Sequence, residues 1–442
     1  MKSSIHRKPL LNKITDPLQS FVRLESFGGI ILIIASIAAL IVANSAFGPS
    51  FISFWDKYAG LKFENLKFDL SVLHWINDGL MAIFFFVVGL EIKREILTGG
   101  LSSFKKASLP IFAAVGGMIV PALLYFSLNK GDIGSHAWGI PMATDIAFAL
   151  GVLTLLGKRI PTSLKLFLTS LAIIDDIGAV IVIAVFYTSS INTMALIFGG
   201  IIFVILLMLN FLSIRTKGIY LVLGVILWYA FLKSGVHATI AGILLAFTIP
   251  SRANRSLKEF VECNIKIIHK IREHKESRQA GIEQKFIQSA IYTVEKNCED
   301  VLSPLQWLEH KLHPYVVYII VPLFAFSNAG IFIDNTLISE LSSSISLGIF
   351  VGLFIGKPVG IYLFSRISVA LKIADKPVDI RWKQIVGLGF LAGIGFTMSF
   401  FVSQLAFSSG EELNIAKLAV LISSLISGVT GYLLLRFSKT KA

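Results

Sequence analysis

A chain of 442 residues in which 55% are hydrophobic and 15% charged, with a mean hydropathy of +0.77, stands far from soluble domains, where about 25% of residues are charged. With 35 Phe, 35 Gly and long apolar runs, this excludes a soluble globular enzyme and describes a polytopic membrane protein whose first partner is the lipid bilayer. The net charge of +13 does not point to nucleic acid, because the 40 Lys and Arg are spread between the apolar runs and are not gathered on one stretch. Cys263 and Cys298 share one polar loop without zinc-type spacing, so neither a disulfide framework nor a metal finger is indicated.

At roughly 20 residues per span, the apolar runs predict an all-α fold of twelve transmembrane helices. After a tail over 1–27, spans one to eight fill residues 28–250, at 28–47, 71–92, 107–128, 136–157, 163–187, 193–213, 218–233 and 234–250. A polar insertion over 251–313 follows, then spans at 314–333, 345–367, 384–406 and 413–436 and a tail over 437–442. The seventh and eighth spans are short and abut at Lys233–Gly235. An even count puts both termini on one side. With the N-terminus inside, fourteen Lys and Arg fall in short inner loops against six in outer loops, so the positive-inside rule makes both termini cytoplasmic. The first run follows a polar tail of more than twenty residues and reads as a span, not as a cleaved signal peptide.

Two loops stand out. In the outer loop 48–70, residues 61–70 alternate around Glu64-Asn65 and predict a small β-hairpin. Its edge suits pairing with a second copy, a homodimer through this loop; a solvated loop is the competing reading. The insertion 251–313 carries eleven basic and nine acidic side chains with helical spacing of Leu257, Val261, Ile265 and Ile268, then Ile287, Ile291, Val294, Cys298 and Val301. This predicts an amphipathic helical hairpin turning near Ala280-Gly281. It either packs on the inner face, binds a partner or is a tolerated insertion.

Ionisable groups inside a bilayer cost about 2.5–3.5 kcal/mol each on insertion scales, so they persist mainly where function needs them. Asp175 and Asp176 lie in the middle of the fifth span. Neighbours on a helix diverge by about 100°, so the two carboxylates face different surroundings: one can bind a cation while the other meets a protein partner. In the fourth span, Pro141 removes a backbone donor and Thr144-Asp145 can serve freed backbone groups, which predicts a broken helix. Its counterpart is the glycine-rich stretch Gly387 to Thr397 in the eleventh span, where close helix packing is the competing reason for the glycines. Interrupted segments in corresponding positions of two halves point to a transport site near the midplane. Lys357 in the tenth span needs a carboxylate, Asp175 or Asp176, unless it snorkels to the inner surface. Asp78 lies in the outer half of the second span, and Glu91, Arg94 and Glu95 at its inner end read as a solvated cluster. His237 is either a pH-responsive group or a satisfied polar residue at a helix start.

The segments 75–85, 89–95, 143–151, 171–178, 234–239, 323–330, 356–358 and 393–399 together resemble the NhaA-type sodium/proton antiporter family, in family order and across nearly all the spans. The resemblance implies a bacterial-type inner membrane location. It also implies that spans 3–5 and 10–12 form inverted repeats, with the fourth and eleventh helices discontinuous where they cross. By motif position, Asp176 and Asp175 are the ion and proton carboxylates, Thr144 and Asp145 sit at the crossing, and Lys357 pairs with Asp175. Asp78 flanks the ion path. Glu91, Arg94, Glu95, Glu309 and His310 belong to a pH-responsive inner surface. One departure is plain: the family joins spans eight and nine briefly, whereas about 55 residues separate Pro250 from Leu308 here.

The expected activity is electrogenic, pH-regulated exchange of Na+ or Li+ for H+. A hard cation wants oxygen ligands, and the carboxylate that binds it gives up its proton. The rival of another kind is a sodium-coupled symporter of an organic solute, but the one midspan cation, Lys357, has an acidic partner to satisfy and leaves no anion clamp. No nucleophile, cofactor loop or metal cluster supports an enzyme, and no cofactor is expected beyond the transported ions.

Overall fold

The computed structural model describes residues 26–63, 66–188, 191–253, 255–276, 282–407 and 410–438. The described residues start with α1 (Ser26–Ala43) and α2 (Gly48–Trp55), then a hairpin of β1 (Tyr58–Phe63) and β2 (Leu66–Ser71), antiparallel with Tyr58 opposite Ser71 and Phe63 opposite Leu66. Its turn, Glu64-Asn65, lies outside the described residues, as do the N-terminal tail to residue 25 and the last four residues. The Trp75 indole N–H donates to the Ala59 carbonyl at 2.8 Å and ties the hairpin to the π-helical turn Trp75–Leu80. That turn runs into α3 (Met81–Thr98), followed by α4 (Phe104–Leu128), α5 (Ile146–Leu155), α6 (Thr162–Phe186), α7 (Thr193–Phe211), α8 (Lys217–Ser234) and α9 (Thr239–Thr248). The insertion forms α10 (Leu257–Glu276) and α11 (Ile282–Val301); the segment near Ala280-Gly281 lies outside the described residues. Then come α12 (Pro304–Tyr315), α13 (Val321–Asn328), α14 (Asn335–Ser339), α15 (Ser344–Val351), α16 (Lys357–Ala370), α17 (Trp382–Ala392), α18 (Phe396–Ala406) and α19 (Glu411–Arg436).

Among the described residues, six helical stretches are long and apolar enough to cross a membrane, and nine if each sharply bent pair is one span. The six are α4, α6, α7, α8, the run α15–α16 and α19. Large apolar side chains stand exposed along them, as Ile197, Ile201, Val204 and Met208 do on α7, a surface that suits hydrocarbon and not water. The chain is therefore a helical, multi-pass membrane protein.

Contacts divide it into two compact units, one from residues 1–81, 98–188 and 317–442 and the other from 82–97 and 189–316. In the first, α4 packs along α16 with backbones almost touching: a Cβ added at Gly116 would strike the Gly360 carbonyl, and one at Gly360 would strike that of Gly116. Small residues at such a crossing let helices approach without the hydrophobic effect, which does not act between helices in lipid. The second unit centres on an apolar cluster that includes Phe86, Leu90, Leu206, Leu227, Leu245, Leu305 and Leu308, from α3, α7, α8, α9 and α12. Gly235, at φ +81°, ends α8 in the left-handed conformation that a Cβ disfavours, and so turns the chain into α9. In the same unit α10 lies along α11, with Arg255 donating to Asn297 at 2.8 Å and its backbone N–H to the Asp300 carbonyl at 3.1 Å.

Candidate functional site

Two interruptions meet inside the first unit. The short helical turns of Gly134–Met142 give way at Ala143 to extended backbone, and α5 starts only at Ile146, bent by 40°. Asp145 is extended (φ −87°, ψ 101°) and caps α5, its Oδ1 accepting from the Phe148 N–H at 2.9 Å. The second interruption separates α17 from α18 at Gly393–Gly395, with a bend of 48°. A Cβ at Gly393 would run into the Leu353 carbonyl, so glycine is what lets this break nestle against its neighbour. The breaks touch directly, the Asp145 N–H donating to the Ile394 carbonyl at 2.7 Å.

One carboxylate serves both helix starts. Asp145 Oδ2 accepts from the Thr397 N–H at 3.2 Å and from the Thr397 hydroxyl at 2.5 Å, at the first turn of α18. The unsatisfied N–H groups of two helix N-termini are thereby met by a single buried carboxyl group.

Beside this junction, α6 presents Asp175 and Asp176, both almost fully buried. The Lys357 ammonium lies 2.8 Å from Asp175 Oδ2, and neither side chain has solvent exposure. Lys357 also donates to the Met142 carbonyl, at the end of the segment that precedes the first break. It follows a π-helical turn, Gly352–Gly356, the kind of irregularity that recurs at functional sites in helices. The Thr144 hydroxyl lies 2.7 Å from Asp175 Oδ2 and 2.9 Å from the Ala392 carbonyl. A hydroxyl has one hydrogen, so it satisfies both acceptors at once only when Asp175 itself brings a proton. The arrangement can therefore register the protonation state of Asp175. Asp175 Oδ1 accepts no hydrogen bond among the described residues.

Glu91, Arg94, Glu95 and Glu309 gather in the second unit. Arg94 reaches Glu95 at 3.0 Å, Glu309 at 3.4 Å and Glu91 at 3.8 Å, three carboxylates around one guanidinium. Burial pushes Glu309 above the usual carboxylate range; Arg94 opposes this, while Glu91 and Glu95 add to it. Beside Arg94, the Lys93 ammonium donates to the Phe247 and Ile249 carbonyls, both at 2.6 Å, and closes the C-terminal end of α9. Burial lowers its pKa to about 8. His310 is exposed on α12. His237 lies at the opposite end of α9 from Lys93, about 15 Å away along the helix at 1.5 Å per residue, so it is not brought to the Arg94 cluster. Asp78 is half-buried in the π-helical turn Trp75–Leu80.

Residues 19–435 match the family model described as Na+/H+ antiporter 1. The chain is 46% identical over 426 residues to the Na(+)/H(+) antiporter NhaA of Helicobacter pylori (strain HPAG1), covering 96% of each protein. It is 45% identical over 439 residues to that of Syntrophobacter fumaroxidans, covering 98% of this chain and 93% of the relative. It is 46% identical over 425 residues to that of Koribacter versatilis, covering 96% and 91%. This chain belongs to the Na+/H+ antiporter 1 family. It is a transporter that exchanges Na+ for H+ across a membrane.

For a Na+/H+ antiporter, the site residue that the sequence reading passed over is Thr397, which belongs with Asp145. Its signal was its place two residues after Gly395, on the first turn beyond a break. The carbonyls of Met142 and Ala392 were not legible, because only the folded backbone aims them at Lys357 and Thr144.

Proposed function

We propose that exchange runs by competition between Na+ and H+ at Asp175 and Asp176, with Li+ able to replace Na+. The observation that carries this is the fully buried Lys357–Asp175 pair, 2.8 Å apart, next to Asp176 and against the meeting of two helix breaks. A cation arriving among these oxygens binds the carboxylates and releases the proton held at Asp176. As the cation draws Asp175 away, the Lys357 ammonium loses the charge that holds it and gives up a second proton. Two protons then move against one Na+. One net positive charge enters per cycle, so an inside-negative potential contributes about 2.3 kcal/mol per 100 mV.

The same reading makes the chain a twelve-span protein of a bacterial-type inner membrane with both termini cytoplasmic. Spans 3–5 and 10–12 are its inverted repeats, and the breaks at 143–145 and 393–395 are the crossing of its two discontinuous helices. Alternating access exposes the carboxylates to one side at a time, with Asp78 along the path. Glu91, Arg94, Glu95 and Glu309 regulate exchange by pH, with His310 on the same helix as Glu309; His237, at the far end of α9, stands apart from that cluster. The hairpin in loop 48–70 joins two copies, since a two-stranded sheet has unpaired edges that template a further strand.

The test is proton efflux from acidified inside-out vesicles, read by a pH-sensitive dye on addition of Na+, Li+ or K+. Wild type is expected to respond to Na+ and Li+, and Asp176→Asn to lose at least 95% of the response. Sodium-dependent proton movement retained in Asp176→Asn would remove that carboxylate from the mechanism.

A further inference from the structure

Three amide side chains close a ring that the exchange chemistry does not use. Asn77 Nδ2 donates to Gln404 Oε1 at 2.6 Å, Gln404 Nε2 donates to Asn328 Oδ1, and Asn328 Nδ2 donates to Asn77 Oδ1 at 3.0 Å. Each amide enters with one donor and one acceptor, so the ring closes in either sense of the three amides. Asn328 is 1% exposed and is held further by the Phe324 carbonyl at 2.9 Å, while Asn77 and Gln404 are half-buried. A satisfied amide ring in low dielectric is rigid while closed.

The ring lies at the hairpin end of three apolar segments. Asn77 follows β2 by six residues, in the π-helical turn Trp75–Leu80 beside Asp78. Asn328 ends α13, and the chain just beyond it is pinned by Asn44, which bonds the Ile331 carbonyl and the Ile333 N–H, both at 2.8 Å, on the link from α1 towards the hairpin. Gln404 stands two residues before Ala406, the end of α18, whose carbonyl meets the His136 ring at 2.8 Å. The same helix carries Thr397, bonded to Asp145, seven residues earlier, or about 10 Å along the axis at 1.5 Å per residue. A shift of α18 at the carboxylate site therefore pulls on the ring.

We propose that the Asn77–Asn328–Gln404 ring is the hairpin-side gate of Na+/H+ exchange. Closed as here, it seals the path from that side to Asp175 and Asp176, and it opens once in each cycle. Neutral amides suit the task. They attract one another without the lasting charge that would trap a cation, and water replaces their hydrogen bonds at small net cost when they part. None of the three amides is titratable, so the ring itself answers to the movement of α18.

A reversible lock tests this. In a Cys263→Ser, Cys298→Ser background, Asn77→Cys with Gln404→Cys is reconstituted into proteoliposomes and treated with a short bifunctional thiosulfonate. Bridging is expected to lower exchange at least 20-fold, with recovery on reduction and no comparable loss in either single cysteine. Exchange by the reduced protein tests Na+/H+ transport itself, separately from the gate. A bridged protein that keeps its rate within twofold, or cysteines that each react and never bridge, would overturn the proposal. The second variant is Gln404→Leu, which unpairs the other two amides and lowers the population of the closed state. The KM for Na+ applied from the side opposite the hairpin is expected to rise 3- to 10-fold, while the KM from the hairpin side does not rise. Equal KM changes on the two sides, or none, would mean that the ring only supports the fold.

Discussion

Single side chains at the site carry more than one bond, so their removal has directional consequences. Thr397 gives Asp145 both a backbone and a hydroxyl donor. Hydrogen bonds to charged groups contribute about 1.5–3 kcal/mol, so Thr397→Val is expected to raise the KM for Na+ about tenfold or more, with Ser in its place restoring most of it. Vesicle assays over a range of Na+ concentrations read this, and an unchanged KM would detach Thr397 from the site. Glu309 offers a pH test. Burial raises its pKa above the ordinary 4.5, so the folded state holds this proton more tightly than the unfolded chain. Its contribution to stability is fully present below pH 4.5 and is lost as pH rises through the raised folded value. Apparent melting temperature followed from pH 4.5 upwards is expected to fall less steeply in Glu309→Gln than in wild type, and parallel curves would contradict the assignment. The cost of burying charge made Asp175, Asp176 and Lys357 legible in the sequence. Spacing alone left open which aspartate meets the lysine, because neighbours about 100° apart on α6 are told apart only by what packs on each side; the family resemblance pointed to Asp175, the carboxylate found 2.8 Å from Lys357.

Elements show a similar division. The alternation over residues 61–70 was readable as strands because a hairpin has a period of two, and the structure pairs Leu61 with Phe68. Lys57 and Val72, the residues flanking the hairpin, are joined by a backbone hydrogen bond of 3.0 Å, so the hairpin can be removed without stretching the chain. Replacing residues 58–71 with a Gly-Ser pair is expected to convert a dimer to a monomer by light scattering after size exclusion, with exchange per protomer kept within about threefold. A dimer that persists would place the interface elsewhere. The two helix breaks were legible from Pro141 and from the run of glycines. That they meet came only from the family resemblance, and the contacts that join them were not legible, since they link residues almost 250 positions apart, Asp145 with Ile394 and Thr397.

At the scale of the whole molecule, the insertion departs from the pattern that the resemblance implies. Its two ends are clasped, with the Leu305 N–H on the Pro250 carbonyl at 3.2 Å and the Arg255 N–H on the Asp300 carbonyl at 3.1 Å. An excision from 252 to 302, closed by a short Gly-Ser linker, therefore spans only a small gap. Loop-closure cost changes slowly with length, so the remaining fold is expected to assemble and to keep Na+/H+ exchange within about twofold in vesicles. Loss of exchange in a protein that still inserts would make α10 and α11 part of the working machine.

By itself the sequence determined the bilayer as solvent, through mean hydropathy and run length, and the chemistry on offer, through charges too costly to keep without a use. Family motifs added the antiporter identity, because they lie in order along almost the whole chain. Tertiary structure alone decided the partners: the Met142 and Ala392 carbonyls, Thr397 on Asp145, and the amides of Asn77, Asn328 and Gln404. A polar residue near a span end is ordinary in any membrane protein, and a backbone carbonyl has no letter in the sequence. Both acquire meaning only when packing brings distant segments within hydrogen-bond reach, where an unsatisfied polar group in hydrocarbon would cost several kcal/mol.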